Sequence, residues 1–310
     1  MNASQKINME EINFIIVGAQ KSGSTFLHHC IASNDSIYMP DGETPIFESP
    51  DWENGGFEKF IRNIKKLNID KLTGIKRPKY LYMNDVPSRI KHKYSSAKII
   101  AVLRNPLDRF KSAYFHYMRS GFLPPLPLNI GTNMLLDGKL NTKWKRSNEI
   151  LEFSIYAPGI RQYLKYFDRQ QCCFITYDDL VRDPALQMEK IFTFLGVANK
   201  FNKTLLCSNP QKVEYGLLRL CWSSLINRCI YEYNDDRTRL FPKNEKGSFD
   251  KIALKSWSFA DKAVRRLLPN YKSAKPDYNE KTINRLKPIF TKDILETEAL
   301  TGINLSAWKS

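Results

Sequence analysis

Residues 12–27 limit the possible folds of this chain more than any other stretch. They read INFIIVGAQKSGSTFL, in which an apolar run stops at Gly18, a turn of small residues follows, and a helical apolar pattern begins at about Thr25. A strand, a tight loop and a helix in this order bring backbone N–H groups and the positive end of a helix dipole to one point, where an anion can bind. The segment therefore predicts an α/β fold with a phosphate-binding loop.

The residues of this loop favour an anion shorter than a nucleoside triphosphate. Gly18 and Gly23 allow the backbone to approach a ligand closely, and Lys21 adds a positive charge. Hydroxyl donors come from three further residues: Ser22, Ser24 and Thr25. In a nucleoside triphosphatase the lysine directly follows the second glycine, but Ser24 occupies that position here. The pattern predicts an anion site without a metal ion, and an ordinary strand-to-helix turn is the alternative.

A second segment, residues 98–114, has the pattern of a second phosphate contact. It reads KIIAVLRNPLDRFKSAY, a buried strand that ends at Arg104, followed by a helix that Pro106 can begin because its missing N–H is not needed there. Ser112 then lies about 9 Å along that helix. We expect the Arg104 guanidinium and the Ser112 hydroxyl to share one phosphate. A simple surface helix start is the alternative.

The loop at residues 18–25 resembles the 5′-phosphosulfate loop of sulfotransferases that use 3′-phosphoadenosine 5′-phosphosulfate (PAPS), and residues 98–114 resemble the 3′-phosphate motif of the same family. The resemblance implies a P-loop-like, three-layer α/β/α fold with a central, mostly parallel sheet. It also implies in-line transfer of a sulfuryl group from PAPS, with 3′-phosphoadenosine 5′-phosphate (PAP) as product and no metal. The 3′-phosphate would be held by Arg104 and Ser112. The donor's 5′ side would be held by a run of loop residues: Lys21, Ser22, Gly23, Ser24, Thr25 and Phe26.

Two segments between these motifs are expected to supply the catalytic groups. Residues 36–52, SIYMPDGETPIFESPDW, resemble the region that carries an acidic residue in glycan-type sulfotransferases. The match makes Glu43 the candidate general base, which would take the proton of the attacking acceptor, while Glu48 is a competing carboxylate. Residues 73–82, TGIKRPKYLY, resemble the family's Lys-x-Pro strand. This match implies that Lys76, together with Lys21, stabilises charge on the leaving phosphate.

A histidine base is the alternative to the carboxylate. The branch of the family that acts on small phenols carries Lys-Thr-His in this strand, whereas this chain has Lys76-Arg77-Pro78, which favours a carboxylate base. Of the four histidines, His116 is the rival candidate because it falls on the helix after Arg104.

Charge and cysteine usage agree with this interpretation but leave other functions open. The net charge of +16 would attract an anionic donor, an acidic polysaccharide or a nucleic acid. We expect a carbohydrate or small natural-product acceptor, and neither a nucleic-acid nor a membrane partner. A nucleotide-dependent kinase with magnesium and a basic nucleic-acid or polyanion binder remain alternatives.

Six cysteines without a C-x-x-C pair, together with no signal-peptide pattern, predict free thiols and a cytoplasmic location.

The chain is expected to form one domain over residues 1–310. Alternating apolar patterns predict strands near residues 12–17, 36–39, 73–77, 98–103 and 172–177. They predict helices near residues 24–33, 56–67, 85–94, 106–120, 149–167 and 185–195. Residues 12–200 would form the core, and residues 278–310 would form a closing helix. Residues 206–276 would form a divergent insertion on the acceptor side, in which Lys246 and Gly247 are weak candidates for a 3′-phosphate contact. Residues 121–128 are either a mobile loop over the acceptor or a connector. Asp183 or one of its neighbours should cap the helix that begins near Pro184.

Overall fold

The described part of the chain comprises residues 12–66, 70–201, 215–233, 240–243, 256, 260 and 275–309 of a computed structural model. The chain divides into two compact units. The first consists of residues 1–106, 155–210 and 291–310, and the second consists of residues 107–154 and 211–290.

A five-stranded parallel sheet forms the centre of the first unit, with the strand order β2-β3-β1-β4-β5. Its strands are β1 (Ile12–Gly18), β2 (Ile37–Tyr38), β3 (Leu72–Lys76), β4 (Lys98–Leu103) and β5 (Cys172–Thr176). In register, Ile15 of β1 lies between Ile75 of β3 and Ile99 of β4. All five predicted strands are confirmed, and the carboxyl ends of parallel strands are where open α/β sheets bind ligands.

Most of the predicted helices are present. The chain forms α1 (Ser24–Ala32), α2 (Gly56–Lys66), α3 (Val86–Lys93), α4 (Pro106–Arg119), α5 (Leu128–Leu136), α6 (Glu149–Glu152), α7 (Ala157–Tyr166), α8 (Tyr177–Arg182), α9 (Pro184–Leu195), α10 (Leu217–Ile230) and α11 (Glu280–Thr301). A short antiparallel pair, β6 (Tyr231–Tyr233) and β7 (Leu240–Pro242), follows α10. The side chain of Asp183 accepts a hydrogen bond from the Leu186 N–H at 3.0 Å, so the predicted cap of α9 is confirmed.

The single helix predicted over residues 149–167 is wrong, because the chain breaks it into α6 and α7. At the start of α7, the carboxylate of Asp293 accepts from the backbone N–H groups of Tyr156 and Ala157, each at 2.8 Å. At α6, the buried guanidinium of Arg109 donates a hydrogen bond to the Ile150 carbonyl at 2.8 Å. These two side chains satisfy backbone groups that a continuous helix would have paired internally.

Both faces of the sheet are buried, which explains why its strands are almost continuously apolar. Phe14, Ile16 and Ile100 pack on one face in a core shared with α1 and α9. On the opposite face Ile15 is equally buried. There the 3-10 turn Tyr80–Tyr82 lies close to β1, since a Cβ at Gly18 would come within 2.8 Å of the Leu81 side chain. The prediction of a three-layer fold around a parallel sheet is confirmed.

The described parts of the second unit are mainly helical. Residues 121–127 lead into α5, with Phe122 and Leu123 buried and the Tyr114 hydroxyl donating to the Leu126 carbonyl at 2.8 Å. The choice between a mobile loop and a connector there stays a prediction. Lys246 and Gly247, the weak candidates for a 3′-phosphate contact, lie outside the described residues.

Candidate functional site

The candidate site lies in the first unit, where β1 ends and α1 begins. Gly23 is the N-cap residue of α1, no side chain caps the helix, and no acidic residue lies in its first turn. The Leu27 N–H donates to the Gly23 carbonyl at 3.0 Å, the bond expected one turn into the helix. The N–H groups of the first turn have no intrahelical partner, so the positive end of the dipole is open to an anion.

The loop before α1 has an unusual backbone conformation. Lys21 has φ +66° and Gly23 has φ +89°, both in the left-handed region. For lysine this conformation costs about 1–2 kcal/mol. The loop is braced by Arg104, whose Nη1 donates to the Lys21 carbonyl at 3.3 Å. Gly23 has a second reason to be glycine, because a Cβ there would lie 2.8 Å from the ring of Tyr177. Strain of this kind is typical of ligand-binding loops.

Ser22 provides a specific sign that the loop binds a ligand. Its side chain is fully buried, and among the described residues its Oγ has no hydrogen-bond partner. Buried hydroxyl groups nearly always have a partner, so each exception needs an explanation. An oxygen of a bound phosphate would satisfy this hydroxyl. The donor set of the loop therefore fits the 5′-phosphate side of PAPS.

Lys76 brings a second cation to the loop. It is the last residue of β3, its side chain is buried, and its Nζ donates to the Thr25 hydroxyl at 3.2 Å. Burial lowers the pKa of Lys76, while the charge of Glu43 acts in the opposite direction. The structure thus places Lys76 beside the loop and within electrostatic reach of the candidate base.

Glu43 and Glu48 are both ion-paired to Arg77. Arg77 Nη1 lies 2.5 Å from Glu43 Oε2, and its Nη2 contacts Glu48 Oε1. The Glu43 side chain is 44% exposed, whereas that of Glu48 is 2% exposed. Burial alone would lower the pKa of Arg77, but the two carboxylates outweigh it and raise the pKa. Arg77 was not predicted as a site residue, although it directly follows Lys76 in the segment that was singled out.

Arg104 lies at the end of β4, next to the loop. Its guanidinium is 4.5 Å from the centroid of the Tyr177 ring, and its carbonyl accepts from the Tyr156 hydroxyl at 2.8 Å. Neither tyrosine was predicted as a site residue. Ser112 lies on α4 in the second unit and is buried. A phosphate shared by Arg104 and Ser112 therefore stays a prediction.

His28 is a histidine near the site that the sequence did not single out. It is buried on α1, and its Nε2 donates to the Pro40 carbonyl at 3.1 Å. Burial, and then the charge of Lys76, lower the pKa of His28, so the ring is neutral near pH 7. His116, the predicted rival base, lies on α4 in the second unit, with its ring centroid 6.0 Å from that of Tyr117. Its role stays a prediction.

The family can be identified from a match to most of this structure. The family model described as the sulfotransferase domain matches residues 11–214, which is more than half of the chain and includes every residue of the site described above. The chain belongs to the sulfotransferase domain family. The family predicted from the sequence is therefore confirmed.

Curated relatives of this sulfotransferase domain include enzymes named for heparan sulfate. Human heparan sulfate glucosamine 3-O-sulfotransferase 5 is 23% identical over 219 residues, which cover 70% of this chain and 61% of that protein. Human bifunctional heparan sulfate N-deacetylase/N-sulfotransferase 2 is 29% identical over 202 residues, covering 62% of this chain and 22% of that protein. The match thus spans about three fifths of the length of the first of these relatives.

Solved sulfotransferases share the fold. The crystal structure of a sulfotransferase from Alicyclobacillus acidocaldarius has a TM-score of 0.65 at 20% identity, covering 97% of this chain and 99% of the other. A mouse sulfotransferase solved in complex with PAP has a TM-score of 0.50 at 18% identity, covering 97% and 90%. At these identities the comparison supports the fold alone.

Neither a metal-binding cluster nor a membrane-spanning helix is present in the part of the chain that the structure describes. Among the described residues, no group of three or more His, Cys, Asp or Glu side chains is arranged to hold a metal ion. In the same part of the chain, no helix has the length and apolar character needed to cross a membrane. Asp178, in the first turn of α8, accepts a hydrogen bond from the Trp308 indole N–H at 3.0 Å.

Proposed function

We propose that this chain transfers a sulfuryl group from PAPS to a hydroxyl or amine of a carbohydrate or small natural-product acceptor. The observation that carries the proposal is the open N-terminus of α1, where the buried Ser22 hydroxyl has no hydrogen-bond partner among the described residues. Lys76 and Arg104 lie beside the same loop. Membership of the sulfotransferase domain family supports the same conclusion.

In this proposal the donor is held at two points. Arg104 and Ser112 bind its 3′-phosphate. Its 5′ side is held by the loop and the first turn of α1: Lys21, Ser22, Gly23, Ser24, Thr25 and Phe26. PAPS supplies the activated sulfuryl group, and no metal ion is required. Lys76 and Lys21 stabilise the negative charge that develops on the leaving phosphate, an interaction that is strongest in the transition state.

Glu43 is the proposed general base. It accepts the proton of the acceptor hydroxyl or amine as that atom attacks sulfur from the side opposite the leaving phosphate. The exposed Glu43 side chain can reach an acceptor, whereas Glu48 is buried against Arg77. This difference favours Glu43 over Glu48.

The acceptor and the setting of the enzyme are also part of the proposal. Relatives named for heparan sulfate and the net charge of +16 favour a carbohydrate acceptor, including an acidic one. We propose neither a nucleic-acid nor a membrane partner. A cytoplasmic location is proposed because the four cysteines that the structure describes, Cys30, Cys172, Cys173 and Cys221, are free thiols. The chain would act as one sulfotransferase domain, in which residues 206–276 serve the acceptor side.

The test is transfer of 35S-labelled sulfuryl from PAPS to a panel of polysaccharides and small hydroxylated acceptors, for wild type and Glu43→Gln. We expect the variant to lose transfer by about 10²–10⁴-fold, the usual range for a general base. Its affinity for PAP, measured by calorimetry, should stay unchanged. Glu58→Gln, which changes an exposed carboxylate on α2, is the matched control and should keep full activity.

Unchanged turnover or lost PAP binding in Glu43→Gln would refute the assignment of the base. Two other outcomes would replace the function itself. Transfer that requires ATP and magnesium would support the kinase alternative. Binding to nucleic acid that weakens steeply with salt and needs no nucleotide would support the polyanion binder.

A further inference from the structure

Arg77 connects a buried carboxylate to an exposed one. Its backbone N–H donates to the Ile16 carbonyl at 3.0 Å, which attaches the residue to β1 just after β3 ends. Its Nη2 contacts Glu48, and its Nη1 lies 2.5 Å from Glu43. One planar group therefore joins the two glutamates of the segment proposed to carry the base, a geometry that arginine provides and lysine does not.

The Glu48 end of this connection is rigid. The Glu48 N–H donates to the Pro45 carbonyl and its own carbonyl accepts from the Trp52 N–H, both at 3.0 Å. A buried carboxylate is tolerated only when it is paired with a cation or fully hydrogen-bonded. Glu48 therefore fixes the position of the Arg77 guanidinium.

The Glu43 end of this connection is exposed to solvent. Glu43 follows Gly42, which has φ +82°, and its side chain is 44% exposed. A solvated glutamate samples many rotamers, and ordering it costs side-chain entropy. A general base must lie within hydrogen-bond distance of the proton that it removes. A contact that orders Glu43 before the acceptor binds would lower the barrier to transfer.

We propose that Arg77 is a positioning residue for the general base: Glu48 anchors the guanidinium, and the guanidinium orients the Glu43 carboxylate toward the acceptor. Arg77 binds Glu43 Oε2, so Oε1 is the oxygen that receives the acceptor proton. This inference rests on the proposed function, because it assigns a role only if Glu43 is the base.

The test is a double-mutant cycle on kcat with Arg77→Met and Glu43→Gln. Because Arg77 acts through Glu43, Arg77→Met should lower kcat by about 10–100-fold in the wild-type background, the loss expected when a catalytic group is misplaced by about 1 Å. In the Glu43→Gln background it should change kcat by less than about twofold. The KM for PAPS should change by less than about twofold when Arg77→Met is introduced into either background.

Two further variants separate positioning from folding. Arg77→Met leaves Glu48 buried without this partner, so Arg77→Met combined with Glu48→Leu removes the pair together, a change that proteins often tolerate. The double variant should fold and show the same loss of kcat. Arg89→Met is the matched control, because Arg89 also binds this segment, with Nη1 on the Phe47 carbonyl at 3.0 Å, but does not contact Glu43. It should lower the melting temperature without lowering kcat.

The outcomes distinguish this inference from the proposed function. If wild type transfers sulfuryl and Glu43→Gln loses transfer, but Arg77→Met lowers kcat equally in both backgrounds, the positioning role is wrong and the function stands. If wild type transfers no sulfuryl to any acceptor of the panel, the proposed function fails and this inference fails with it.

Discussion

Replacing Lys76 by methionine should separate catalysis from stability. Methionine keeps most of the side-chain volume and removes the charge. Lys98 offers a matched control: it is the first residue of β4, burial lowers its pKa as it does for Lys76, and its Nζ donates to the Phe194 carbonyl at 2.6 Å. Lys76 is at the carboxyl end of β3 beside the loop, whereas Lys98 is at the amino end of β4, away from the loop.

The expected loss of activity in Lys76→Met follows from the charge on the leaving phosphate. Removing one preorganised donor to a developing negative charge costs about 2.7–4 kcal/mol, which corresponds to about 10²–10³ in kcat. The stability of the folded protein, by contrast, should not fall when the Lys76 charge is removed. A lowered lysine pKa means that the folded chain disfavours the charge, at about 1.4 kcal/mol for each pKa unit. The lost hydrogen bond is to the exposed hydroxyl of Thr25, which water can replace.

The assay is 35S-sulfuryl transfer at saturating PAPS, combined with thermal unfolding of both variants. We expect Lys76→Met to lose transfer by about 10²–10³-fold and to melt no lower than wild type. Lys98→Met should keep its activity and melt lower than Lys76→Met, because both changes remove a charge that burial disfavours but only Lys98→Met takes the donor from a backbone carbonyl, that of Phe194, at a cost of about 1 kcal/mol. The reasoning is refuted if Lys76→Met keeps kcat within about threefold of wild type, or if it melts below Lys98→Met.

Two further predictions concern the loop and the helix after it. Gly23→Ala should weaken PAP binding at least about tenfold and lower the melting temperature by about 4–10 °C, because alanine is strained at φ +89° and its Cβ would clash with Tyr177. The control is Gly196→Ala, at φ +80° with open space around it. It should melt slightly below wild type and bind PAP normally. His28→Gln should remove a pH dependence measured by thermal unfolding. Since the folded pKa of His28 is lowered, wild type should lose stability relative to the variant as pH falls below about 6.5, and a difference that stays constant from pH 8 to 5.5 would contradict this.

The strands of the sheet could be predicted because each is specified by residues that are neighbours in the sequence. Each strand is a short apolar run bounded by turn residues, so its position can be predicted from a short stretch of sequence, and two of the strands end at segments proposed to bind the donor. The uncapped start of α1 could be predicted for the same reason, since Gly23 and the absence of an acidic residue in the first turn are visible in the sequence.

The features that sequence reasoning missed depend on distant pairing. The break between α6 and α7 is stabilised by Asp293, which lies 136 residues beyond Ala157 along the chain. The pairing of Arg77 with Glu43 joins residues 34 positions apart. No local pattern specifies which carboxylate a buried arginine will contact, or that an aromatic ring will lie under Arg104. These contacts are set by the packing of whole elements.

The most direct test of the donor site is a calorimetric titration of wild-type protein with PAP in EDTA, alongside ATP with magnesium. The proposed site predicts tight binding of PAP without a metal ion, at a stoichiometry near one, together with weak or absent binding of ATP and magnesium. Arg104→Ala should weaken the PAP interaction. Binding of ATP with magnesium but not of PAP, or of neither nucleotide, would contradict the assignment of the loop at residues 18–25 as a PAPS site.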